Sequence, residues 1–160
     1  TVTACSSDAF TVRPQNITAI SSVTANADAS GGSALALPIV KAGANFGLTA
    51  ATGVVGYDGT PQVNTALLNW ASAPSGVGSV AGTFSAANAA TGSASGAAFT
   101  YTEVGYFRFS PLGVIDTTFA NVSDDIVNAD CDSNASNTIT AAFKYGCYFG
   151  NAVNSDHHLF

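Results

Sequence analysis

Charge is what this chain has least of. Asp, Glu, Lys and Arg make up 9% of its 160 residues, against about 25% in an ordinary globular protein. Four residues are basic: Arg13, Lys41, Arg108 and Lys144. Four cations cannot track a phosphate backbone, which argues against nucleic acid as a partner. Glu occurs once, at Glu103, Lys twice and Met never. These are the residues that build helix surfaces, so their scarcity argues against amphipathic helices. No apolar run reaches the about 18 residues that a membrane-spanning helix needs. No charged n-region, apolar h-region or cleavage site opens the chain, which reads as a mature product or an excised fragment. Between Lys41 and Arg108 there is nothing for a trypsin-like protease to cut. Catalytic and cofactor motifs are also missing. Gly92-Ser93-Ala94-Ser95-Gly96 puts Ala where a nucleophile elbow needs Ser, and no H-E-x-x-H or P-loop occurs. The implied cofactor set is empty.

What is present is small and apolar. Ala, Gly, Ser and Thr fill 79 of the 160 positions. Such composition suits disorder unless larger side chains anchor it. Ten Phe, five Tyr and one Trp, spread along the chain, supply the anchors. Thr-rich surfaces punctuated by Gly and Asn suit twisted antiparallel sheets. The length fits one domain over 1–160 with a core of useful size.

The alternation of apolar and polar residues predicts strands at Thr1–Ala4, Phe10–Arg13, Ile17–Thr24 and Asn45–Ala51. Pro38 makes Leu35–Val40 an edge strand or irregular. Asp58-Gly59 is a turn signal. Ala66–Ala71 reads as a strand or one helical turn, and Val77–Phe84 as a strand weakened by glycine. Ala86–Ala98 holds little but small residues and reads as loop or weakly paired backbone. Phe99–Ser110 is the strongest β signal. Phe99, Tyr101 and Glu103 share one face, Phe107 and Phe109 share another, and Val104-Gly105 marks a bulge or bend. Phe119–Ile126 is a short candidate and Thr138–Phe149 the last long one. Strands at short intervals with turn residues between them predict an all-β fold: an immunoglobulin-like antiparallel β-sandwich with Greek-key connections.

Three cysteines occur, Cys5, Cys131 and Cys147, with no C-x-x-C for zinc. Cys131 and Cys147 flank a short polar stretch that ends in an apolar run, and are expected to form a disulfide worth about 3 kcal/mol in the chain-entropy model. Cys5 is left to pair upstream, to pair with a neighbouring subunit, or to stay free. The acidic group Asp124, Asp125, Asp130 and Asp132 offers oxygen ligands without the spacing of a calcium loop, so it reads first as a solvated loop. His157 and His158 are adjacent and would point to opposite sides of a strand, so they read as terminal packing rather than a metal pair. No metal site is assigned. Glu103 would need a second acid or a His to catalyse; a structural partner among Arg13, Lys41, Arg108 and Lys144 fits it better. Tyr57, Trp70, Tyr101, Tyr106, Tyr145 and Tyr148 are core or corner residues, or else a sugar-stacking face.

An ordered set of motifs runs through the chain. Phe10-Thr11-Val12-Arg13-Pro14 follows Cys5-Ser6-Ser7-Asp8. Lys41-Ala42-Gly43 precedes Phe46-Gly47-Leu48-Thr49. Gly56-Tyr57-Asp58-Gly59-Thr60-Pro61 and Phe99-Thr100-Tyr101-Thr102-Glu103-Val104-Gly105 follow. Asp116–Phe119 and Lys144-Tyr145-Gly146-Cys147-Tyr148-Phe149-Gly150 close the series. This order resembles the MshQ-like proteins, large exported proteins of Gram-negative bacteria associated with the MSHA type IV pilus. The resemblance implies a surface-exposed or pilus-associated β module and implies no catalysis. The expected function is a non-catalytic extracellular structural or adhesion module. A sharper form is a repeating subunit of a surface fibre, a homopolymer in which terminal segments, about 1–9 and 151–160, dock on a neighbouring chain. Thr1–Ala4 would complete a neighbour's sheet and Cys5 would staple subunits. The alternative is a carbohydrate- or calcium-binding module, with a glycan or a cell surface as partner. A hydrolase is disfavoured because no nucleophile, base and acid stand together.

Overall fold

The computed structural model describes residues 12–23, 39–40, 42–72, 78–103, 105–121, 131–141 and 143–159. Among these residues the regular structure is twelve strands and two 3-10 turns, with no α-helix. In chain order the strands are β1 (Ala19–Val23), β2 (Ile39–Val40), β3 (Phe46–Ala51), β4 (Gln62–Val63), β5 (Leu68–Ser72) and β6 (Val80–Ala81). They continue with β7 (Ser93–Tyr101), β8 (Gly105–Phe109), β9 (Val114–Asp116), β10 (Asp132–Ala135), β11 (Gly146–Gly150) and β12 (Ser155–Leu159). Three four-stranded sheets result, ordered β1-β3-β7-β6, β2-β12-β8-β5 and β10-β11-β9-β4. The all-β expectation holds. The pairing is mainly antiparallel, but β10 runs parallel to β11 and β2 parallel to β12.

One core joins the sheets. Phe46 of β3 and Tyr101 of β7 reach Phe107 of β8, at ring-centre distances of 6.1 and 4.7 Å. Phe84 and Phe99 pack at 4.8 Å beside them. Phe107, Phe109, Phe99 and Phe149 are completely buried. Such rings each remove a large apolar area from water, which helps a chain rich in Ala, Ser and Gly to build a core. The third sheet adds its own cluster, with Tyr57 and Phe119 against Phe149 of β11. Asn151 ties the end of β11 to the turn before β9. Its Oδ1 accepts from the Val114 N–H at 2.8 Å, and its Nδ2 donates to the carbonyls of Ser110 and Val153.

Several predicted elements form elsewhere or differently. Ala86–Ala98 is not simply loop: from Ser93 onward it is the first half of the nine-residue β7. Strict alternation fails there because the pairing with β3 shifts register, Leu48 facing Gly96 while Phe46 faces Phe99. The inward set therefore changes parity, from Ala94 to Phe99 and Tyr101. Gly96 sits inside that shift because a Cβ there would stand 2.2 Å from the Thr83 carbonyl oxygen. Thr138–Phe149 is a strand only from Gly146; 138–141 and 143–145 belong to a projecting turn. Of the candidate strand Phe119–Ile126, residues 119–121 belong to the 3-10 turn Thr118–Asn121, and 122–126 lie outside the described residues; the turn is started by Asp116, whose Oδ1 accepts the Thr118 N–H at 2.6 Å. Val12 and Arg13 lie outside any strand. The turn in Gly53–Pro61 falls at Val54–Tyr57 instead of Asp58-Gly59. There Gly56 takes φ 94° and the Tyr57 N–H reaches the Val54 carbonyl at 3.3 Å. The bend near Val104 separates β7 from β8, which belong to different sheets. Thr1–Ala4, Cys5, Lys41, Asp124, Asp125 and Asp130 lie outside the described residues.

Candidate functional site

His157 stands at the middle of β12, with its ring stacked on Phe107 at 4.9 Å and edge-on to Phe109 at 5.4 Å. It is 1% exposed. Its Nδ1 lies 2.9 Å from the Ser22 hydroxyl of β1, and its Nε2 lies 3.0 Å from the Ser155 hydroxyl. Ser155 donates its one proton to the Ile20 carbonyl at 3.1 Å. Its oxygen is then left to accept, so the ring donates to it from Nε2, and the Ser22 hydroxyl and Nδ1 share the second bond. A Ser–His pair at this distance is the geometry of an activated nucleophile. Here Ser22 is itself 5% exposed, and the pair joins β12 to β1 inside the core.

A second buried polar pair escaped sequence reasoning. Asp116, at the end of β9, is completely buried and accepts a hydrogen bond from the Tyr57 hydroxyl. Gly59 passes so close that a Cβ there would overlap the carboxylate. Burial first, then the bond to Asp116 and the charges of Asp116 and Asp58, push the Tyr57 phenol well above its ordinary value of 10.0. The only sequence signal was an Asp two residues before a Thr, which many turns share.

Arg13 is the third such group. Its guanidinium donates to the carbonyls of Gly146, Pro14, Gln15 and Ser136. It also lies over the rings of Tyr145 and Phe149, at 5.6 and 5.3 Å. Burial lowers its pKa from the ordinary value and the Tyr145 phenol pulls it back. It stays charged and pins the N-terminal strand lead-in to β11.

The remaining candidates separate. Cys131 and Cys147 form a disulfide, with Cα atoms 5.0 Å apart. Asp132 is partly buried on β10. Glu103 lies partly exposed at the β7–β8 bend, against Gly78. Tyr57 and Tyr101 are core residues. Among the described residues no group of three or more His, Cys, Asp or Glu could hold a metal ion. No described helix is long and apolar enough to cross a membrane.

What the surface offers is a turn. Between Thr140 and Lys144 the chain reverses, with the Thr140 N–H on the Lys144 carbonyl at 2.7 Å and the Phe143 N–H on the Thr140 carbonyl at 3.0 Å. Phe143 takes φ 58° and is 92% exposed. Ile139 and Tyr145 are exposed beside it. The disulfide and Arg13 brace the base of this turn. Chemically it exposes two aromatic rings and an isoleucine, with one cation among them. The chain matches no protein-family model, no curated protein and no solved structure.

Proposed function

We propose that this chain is a non-catalytic structural or adhesion module on the outside of a Gram-negative cell, and a repeating subunit of a surface fibre or pilus-associated assembly. The observation that carries the reading is where its ionisable side chains are used. His157, Tyr57, Asp116 and Arg13 all bond inward to the scaffold. A disulfide braces the only described turn that exposes a phenyl ring, as an oxidising exterior permits. The resemblance to MshQ-like proteins points the same way. In a fibre joined by strand exchange, the proposed donor is the segment 1–9; Ser155–Leu159 pairs with β8 and β2 of its own chain.

The test is sedimentation and electron microscopy of the full chain beside a variant lacking 1–9. Assembly that disappears with 1–9 supports the reading. A wild-type chain that stays monomeric at every concentration overturns it. The carbohydrate-binding alternative rests on Tyr145, which is 45% exposed. A glycan-array signal abolished by Tyr145→Ala would favour it over assembly.

A further inference from the structure

Two surface turns of opposite charge expose large apolar side chains. The first is the tip at 139–141 and 143–145. Phe143 is 92% exposed and Ile139 58%, and Lys144 is partly exposed between Phe143 and Tyr145. A left-handed backbone is unfavourable for a residue with a Cβ, and water is unfavourable for a phenyl ring. The tip holds Phe143 in both at once, on a base closed by the disulfide. Such an outlier on a braced frame points to a contact surface. The second turn is Val54–Asp58. Val55 is 78% exposed and Val54 44%, with exposed Asp58 beside them. Its base is held by the Gly56 N–H on the Ala89 carbonyl at 2.7 Å and by buried Tyr57.

We propose that these two turns dock on each other between copies of the chain, Phe143 covering Val54 and Val55 while Lys144 faces Asp58. The partner is a second copy on grounds of charge. The chain carries ten acidic residues and four basic ones, a net charge of −6, so copies repel unless a cation lies in the contact. Arg13 and Lys144, two of the four, flank the tip. The acidic-apolar turn that complements them is on the same molecule. This inference rests on the reading of the chain as a self-assembling module and names the surface it uses.

The test is self-association of the full chain by sedimentation velocity, with circular dichroism confirming that each variant folds. Lys144→Glu and Asp58→Lys should each weaken association about tenfold, and the two together should restore it to within about threefold. Phe143→Ser should weaken it about tenfold or more. Association unchanged in Phe143→Ser, or a double variant no better than the single ones, overturns the docking of these turns. In that case association lost only on removing 1–9 leaves the fibre reading standing. A wild-type chain that is monomeric at roughly 100 μM, a concentration at which even weak contacts populate, overturns both.

Discussion

At the scale of single residues, this chain uses several of its few ionisable groups as internal fasteners. Tyr57→Phe would leave the completely buried Asp116 without its phenol donor. Urea unfolding at pH 7 should show a loss of about 1–3 kcal/mol, the cost of an unsatisfied buried acceptor. The same pair sets an alkaline limit. The folded phenol holds its proton above 10.0, the unfolded value. The native state therefore binds more protons than the unfolded chain above that pH, and stability falls as pH rises. Below about pH 10 this contribution is fully present. A stability profile from pH 8 to 12 should bend downward above 10, and less steeply in Tyr57→Phe. His157→Ala removes a buried ring from between Phe107 and Phe109 and strands Ser22. It should cost about 3–5 kcal/mol by the same measurement, a cavity term with a polar penalty added. A histidine serving as a core aromatic is visible only in its setting. In Ser155-Asp156-His157-His158-Leu159 nothing marks which ring faces inward.

At the scale of elements, glycine and disulfide positions decide what short runs of small residues become. Gly96 lies within the register shift that turns β7 inward. Gly96→Val would drive side-chain atoms into the Thr83 carbonyl and should lower stability by about 1–3 kcal/mol, as overpacking does. Thermal melting would show the change, and Ser95→Thr, at an exposed position of β7 and keeping the hydroxyl that meets Thr49, should not. The Cys131–Cys147 link spans a sequence separation of 16. Replacing both with Ser should cost about 3 kcal/mol. The alternating runs at 46–51 and 107–109 were legible, because each keeps one parity. The first half of β7 was not. Its parity breaks at the bulge, and its inward residues there are Ala and Gly, which carry almost no hydrophobic signal. Thr138–Tyr145 misled in the opposite sense, since its apolar residues alternate convincingly yet face water.

At the scale of the whole molecule, one ring joins what the strand order divides. Phe107 touches Phe46, Tyr101, Phe109 and His157, which come from four strands in two sheets. Phe107→Ala should therefore cost about 3–5 kcal/mol. Unfolding followed by tryptophan fluorescence and by far-ultraviolet dichroism should remain coincident, because the sheets share this core. A variant that split into two transitions would show the sheets to be separable. The third sheet shares the same core cluster through Val114, Phe149 and the adjoining Tyr57, and the lead-in to β1 ties it to β3, with the Ile17 N–H on the Gly150 carbonyl and the Thr18 N–H on the Ala51 carbonyl.

Composition and local pattern alone determined that this chain is β-rich, that aromatics fill its interior, and that Cys131 and Cys147 lie close enough to join. Those properties follow from short-range preferences and from how few residues are large enough to exclude water. Only the tertiary structure decided which strands neighbour one another, that two edge pairs run parallel, and that His157 and Asp116 become buried fasteners. It also decided that Phe143 stands in water. The pairings and buried bonds among these join residues between 13 and 135 positions apart in the chain, and the inward turn of β7 depends on a register shift. Pairing at such distances is set by the fit of whole faces and not by any local run of residues.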